Sequence, residues 1–135
     1  MSISDIRGKI AAAKDIKSEP FYSPAWDVNL EIRGMSGAAR GQLMAGAYDE
    51  EGKVDYAVFY PMLIIATVCD PETHEPVFTA GDVEFLNGKS AEALEQVATV
   101  AMRLSGLSKG DITSAEKNSA TGSASSTESV KLSGE

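Results

Sequence analysis

The stretch from Trp26 to Arg33 alternates strictly in polarity, with Trp26, Val28, Leu30 and Ile32 on one side and Asp27, Asn29, Glu31 and Arg33 on the other. A period of two belongs to a strand with one covered and one wet face. Such a strand needs a second layer to cover its apolar side, and helical periods elsewhere supply it. Ala91, Leu94, Val97, Ala98, Ala101, Met102 and Leu104 recur at spacings of three and four, which predicts a helix over about 90–105, capped by Ser90 and ended by Gly106. Ser36 is placed to cap another, over about 36–48, through Ala38, Ala39, Leu43, Met44, Ala47 and Tyr48, which Asp49-Glu50-Glu51-Gly52 closes.

The segment from Val54 to Cys69 is the most apolar in the chain. After Pro61 it is rich in β-branched residues without strict alternation, as expected of a strand buried on both faces over 62–69. Residues 53–61 read equally as helix or strand. Asp70-Pro71-Glu72-Thr73-His74-Glu75 has turn chemistry, and Pro76-Val77-Phe78-Thr79 reads as a short return strand. A short helix should follow, from Thr79 or Ala80 to Asn87. The expected class is α+β, a small antiparallel sheet of about three strands (26–33, 62–69 and 76–79) flanked by helices.

Three regions are expected. Ile3, Ile6, Ile10 and Ile16 place a short amphipathic helix at about 4–15, weakened by Gly8, and Glu19-Pro20-Phe21-Tyr22-Ser23-Pro24 reads as a linker, giving an amino-terminal region 1–24. Residues 25–107 form the folded domain. Residues 108–135 are rich in Ser, Thr, Ala and Gly, with Ile112, Val130 and Leu132 as the only sizeable aliphatics, and are expected to be disordered.

Twenty acidic side chains outnumber twelve basic ones, for a formal charge of -8. A surface of that sign repels phosphate backbones and anionic lipid, so neither nucleic acid nor membrane is expected as a partner. The one apolar run is about half a bilayer span. Cys69 is the only cysteine, which excludes an intrachain disulfide and fits a reducing compartment.

Chemistry is sparse. His74, the only histidine, sits in a turn between Glu72 and Glu75, where a metal or acid-base role would need carboxylate partners and a plain polar turn is the simpler reading. Cys69 has no second histidine to activate it and ends an apolar run. Asp49, Glu50, Glu51 and Asp55 lack the alternating ligands of a calcium loop, and Gly34, Gly37, Gly41 and Gly46 are not followed by the Lys-Ser or Lys-Thr pair of a phosphate loop. No catalytic, metal or cofactor residue is assigned, and an enzyme is not expected. Binding to other proteins is the expected role.

The ordered series Tyr60-Pro61, Asp70-Pro71-Glu72-Thr73, Pro76-Val77-Phe78-Thr79, Asp82, Leu86, Lys89-Ser90 and Leu104-Ser105-Gly106-Leu107, together with Trp26 to Gly34, resembles the tail assembly chaperones of long-tailed bacteriophages. The resemblance spans about residues 26–107. His74 stands where the pattern would have glycine. The resemblance implies a non-enzymatic protein in the cytoplasm of the infected bacterium. It would coat the tape-measure protein, help recruit tail-tube subunits, self-associate, and be absent from the finished virion. It also implies a longer product made by a ribosomal slip; Glu116-Lys117-Asn118 is compatible with GAA AAA AAC, which contains the heptamer A AAA AAC.

A client with exposed apolar helical faces calls for an apolar groove. Trp26, Phe59, Tyr60 and Phe78 are the candidates to line it, each with a place in the core as the other reading. Two further alternatives stay open: a small hydrolase or metal-dependent enzyme using Asp70, Glu72 and His74, and a structural tail or head-tail connector protein of the virion.

Overall fold

A computed structural model describes residues 1–107. The expected disordered tail at 108–135, and the slip site within it, lie outside the described residues. Along the chain run α1 (Ile3–Ala12), β1 (Ser18–Ser23), β2 (Val28–Arg33), α2 (Gly37–Ala47), α3 (Tyr56–Thr67), β3 (Val68–Cys69), a 3-10 turn (Ala80–Asp82), α4 (Val83–Asn87) and α5 (Ala91–Leu104). The class is α+β: one three-stranded antiparallel sheet, in the order β1-β2-β3, flanked by helices.

The alternating segment is β2, and it starts at Val28 rather than Trp26. Trp26 lies in the turn between β1 and β2, where its N–H donates to the Oγ of buried Ser23 (3.2 Å) and Asp27 takes a positive φ of 52°. Leu30 and Ile32 are buried as the alternation requires.

The run Glu19–Pro24 was expected as linker, and all of it but Pro24 instead belongs to β1 (Ser18–Ser23), paired along its whole length with β2 from Ser18↔Arg33 to Ser23↔Val28. Pro20 is compatible with this because β1 is an edge strand, whose outward positions need no ladder donor.

The strand expected at 62–69 is also corrected: all but its last two residues belong to α3. Asp55 caps that helix, its Oδ1 accepting the Ala57 N–H at 3.1 Å. Phe59, Pro61, Leu63, Ile64 and Thr67 are buried, so the segment is apolar around most of its circumference because α2, α4 and α5 surround it. The Thr67 hydroxyl donates to the Leu63 carbonyl at 2.7 Å, which makes its burial tolerable.

Pro76–Thr79 is not a strand. Pro76 makes one bridge to Cys69, Val77 N–H donates to Val68 O at 3.2 Å, and the chain then leaves the sheet.

α2 and α5 follow their spacing. Ser36 Oγ accepts from Ala39 N–H (3.2 Å) and Ser90 Oγ from Ala93 N–H (3.3 Å). At the far end of α5, Gly106 adopts a φ of 75°, its N–H reaches Arg103 O and the Leu107 N–H reaches Met102 O at 2.8 Å, a Schellman termination with Leu107 buried. α5 buries Ala93, Leu94, Val97, Ala98, Ala101 and Met102 against α3 and the sheet. There β2 and α5 approach so closely that a Cβ on Gly34 would stand 2.5 Å from the Leu104 carbonyl oxygen.

α1 stands apart. Its N-terminus is a capping box between Ser2 and Asp5, yet none of its ten residues is buried.

Candidate functional site

Two shallow depressions share Trp26 and Phe78 as a common wall. The first, of about 500 Å³, runs over Val28, Asn29 and Leu30 of β2 and the 70–72 turn to Val77. The other, of about 210 Å³, lies between Trp26, Phe78 and the α4 side chains Phe85 and Leu86, with Lys89 beside them. Together they form a mostly apolar groove. Phe85 is 56% exposed, Val77 46% and Val28 41%, an unusual clustering of large apolar side chains on an otherwise acidic surface.

Local chemistry places each wall. The turn held by Ser23 lifts Trp26 off the end of β2. The Asp82 carboxylate accepts the Thr79 N–H at 2.7 Å, fixing the entry to α4 just after Phe78. Because α4 has five residues and turns Leu86 into the core, its neighbour Phe85 is left facing outward. The Phe78 and Phe85 rings lie 6.4 Å apart, and Lys89 Nζ sits 5.2 Å from the Phe85 ring centre, a cation–π contact at one end of the groove. Asp70 and Glu72 lie along the other end.

Of the four residues expected to line a client site, Trp26 and Phe78 meet in this groove. Phe59 does not: it is fully buried in the core. Half-buried Tyr60 lies on the same helix with its ring 5.7 Å from those of Phe59 and Tyr56, an aromatic cluster separate from the groove. Val28, Val77 and Phe85 were not anticipated. The sequence did contain a signal for Phe85, since a one-turn helix cannot turn both Phe85 and Leu86 inward.

A third depression, of about 420 Å³, lies between α2, α3 and the start of α4, lined by Ala39, Leu43, Met62, Ile65 and Val83 among others.

The acid-base reading of Asp70, Glu72 and His74 finds no convergent geometry. The Asp70 Oδ1 accepts the N–H groups of Glu72 (2.7 Å) and Thr73 (3.3 Å), and so serves the turn itself. His74 Nδ1 instead lies 3.0 and 3.1 Å from the two carboxylate oxygens of Glu31 on β2. That contact, with help from nearby Arg33, holds the Glu31 carboxyl below its ordinary value of about 4.5. Burial pushes the Cys69 thiol up, away from a reactive thiolate. Asp49 spends its Oδ1 on the N–H groups of Glu51 and Lys53, both at 2.9 Å. Among the described residues, no three His, Cys, Asp or Glu side chains are grouped to hold a metal, and no helix is long and apolar enough to cross a membrane.

No protein-family model matches the chain, and no curated protein does. A solved structure does: the tail assembly chaperone of bacteriophage HK97 is similar over 79% of this chain and 100% of its own, with a TM-score of 0.57 and 19% sequence identity. The chain thus has the fold of a bacteriophage tail assembly chaperone.

Proposed function

We propose that this chain is a tail assembly chaperone of a long-tailed bacteriophage. It binds the tape-measure protein, keeps it soluble, and helps recruit tail-tube subunits; it acts without catalysis in the cytoplasm of the infected host and does not remain in the virion. The observation that carries this reading is the open groove of Trp26, Phe78 and Phe85 on a fold shared with the HK97 chaperone. A groove of half-buried Trp26 and Phe78 with exposed Phe85, Val28 and Val77 suits the apolar face of a client helix, which would anchor through residues spaced by three, four and seven. Several copies along a long helical client would cover faces that otherwise aggregate.

Co-expression with the tape-measure protein of the same genome tests this. The client should become soluble only in the presence of this chain and co-purify with several copies of it, while purified virions should lack the chain. A client that stays insoluble, with the chain found in virions at fixed copy number, would instead support the structural tail or connector reading.

A further inference from the structure

We infer that α1 of one copy docks in the Trp26–Phe78 groove of a second copy and covers it until a client helix displaces it. This rests on the proposed chaperone role and adds an occupant for the empty groove.

α1 has the face for it. Ile3, Ile6 and Ile10 fall at i, i+3 and i+7 on one side of the helix, and they are 78%, 45% and 67% exposed. Helices shorter than about 12–15 residues are marginal in water by themselves, so a ten-residue helix that buries nothing needs a surface to lie on. Its helical pitch sets Arg7 and Lys9 on either flank of the isoleucine stripe and Asp5 on the far side.

The charges are complementary. Residues 1–17 carry four basic side chains (Arg7, Lys9, Lys14, Lys17) against two acidic ones, whereas residues 18–107 carry five basic against fourteen acidic. Asp70 and Glu72 lie along the groove itself, ready to meet the flanking cations. The depression between α2 and α3 has no charged side chain in its lining and offers no such match.

The place of the helix in the protomer favours a second copy over its own domain. Lys17 is fixed beside the sheet, its carbonyl accepting the Gly34 N–H at 2.8 Å, which leaves residues 13–16 free. Four residues reach about 14 Å at full extension. Trp26 lies beyond the opposite end of β1, six residues and about 20 Å away. In the protomer itself α1 buries none of its residues and lines neither depression, so its isoleucine stripe is left for a neighbour's groove.

Trp26 is the only tryptophan, so its emission reports directly on the groove. The full chain and an Ile6→Glu/Ile10→Glu variant, whose altered positions bury nothing within the protomer, would be followed by sedimentation velocity and tryptophan fluorescence across a dilution series. The native chain should lose mass and red-shift its emission together on dilution, and the variant should be monomeric and red-shifted throughout. Each glutamate should weaken association by about tenfold or more.

Equal mass and emission in the two proteins would overturn the inference. So would an arm-dependent emission in a native chain that stays monomeric, because the arm would then cover its own groove. An arm-dependent mass with unchanged Trp26 emission would place the arm elsewhere and also overturn it. Client capture, measured in the same samples, keeps the two proposals separate: Trp26 responding to client but not to dilution would retain the chaperone role and reject the docked arm.

Discussion

The Asn87 side chain completes the helix that Pro61 interrupts. Pro61 has no N–H to offer the Ala57 carbonyl four residues earlier, and Asn87 Nδ2 donates to that oxygen at 2.7 Å from the end of α4. α3 therefore stays helical through its proline, and α4, with Phe85 on it, is held against α3. Asn87→Ala should cost about 0.5–1.5 kcal/mol in urea unfolding, the net worth of a hydrogen bond whose acceptor water can reach. In a Pro61→Ala background, where the backbone supplies the missing donor, the same substitution should cost less than half as much. Equal costs in both backgrounds would dissociate Asn87 from the proline.

His74 occupies a left-handed conformation, φ 65°, that usually belongs to glycine, and its ring is held by Glu31. His74→Ala keeps the strain and loses a contact that is open to solvent, so it should destabilise by about 0.2–1 kcal/mol. His74→Gly relieves the strain and should cost less. The two variants differ only by a Cβ, so chemical denaturation at neutral pH separates backbone strain from the imidazole contact.

The Glu31–His74 contact also gives stability a pH dependence with a fixed sign. The folded state holds the Glu31 carboxyl below its ordinary value of about 4.5, so the unfolded chain takes up that proton first as the solution is acidified. Its contribution is present above about pH 4.5 and is lost as pH falls through the depressed folded value. The destabilisation caused by His74→Ala should therefore be larger at pH 6 than at pH 3 when the two are compared by urea unfolding. A gap that is constant, or that widens towards pH 3, would contradict this.

Gly34 is required by a close approach. A Cβ there would meet the Leu104 carbonyl oxygen at 2.5 Å, and the neighbouring Met35 N–H is tied to Ser105 Oγ at 3.0 Å, so backbone must move to admit it. Gly34→Ala should cost about 1–3 kcal/mol, as overpacking does, whereas Gly37→Ala and Gly41→Ala, with open space around them, should be neutral or mildly stabilising. Thermal melts of the three variants check the contrast.

Two phenylalanines should separate folding from binding. Phe59→Ala opens a cavity in the core and should cost about 3–5 kcal/mol. Phe85→Glu, at an exposed position, should change stability by about 0.5 kcal/mol or less yet lower client recovery on co-expression.

Much of the architecture could be read from spacing. α5 and α2 follow their three-and-four periods and their serine caps. α1 runs from Ile3 to Ala12 rather than over about 4–15 because its capping box uses Ser2 and Asp5. α3 could not be read that way: a helix enclosed on most sides and a doubly buried strand both appear as an unbroken apolar run, and Pro61 argued for a boundary. The donor that permits the helix, Asn87, is 26 residues further on. β1 was hidden by Pro20 and Pro24, which suit an edge strand and the following turn as well as they suit a linker. The groove was half legible: aromatic residues could be named, but only the packing of α3 distinguishes buried Phe59 from exposed Phe85.

The most direct test of the central claim is the emission of Trp26 as the full chain, diluted until it is monomeric and its groove uncovered, is titrated with a soluble helical fragment of the tape-measure protein. The account predicts a saturable blue shift in the native chain that is lost in Phe85→Glu. A fragment that fails to bind, or that binds while Trp26 emission stays unchanged, would contradict it.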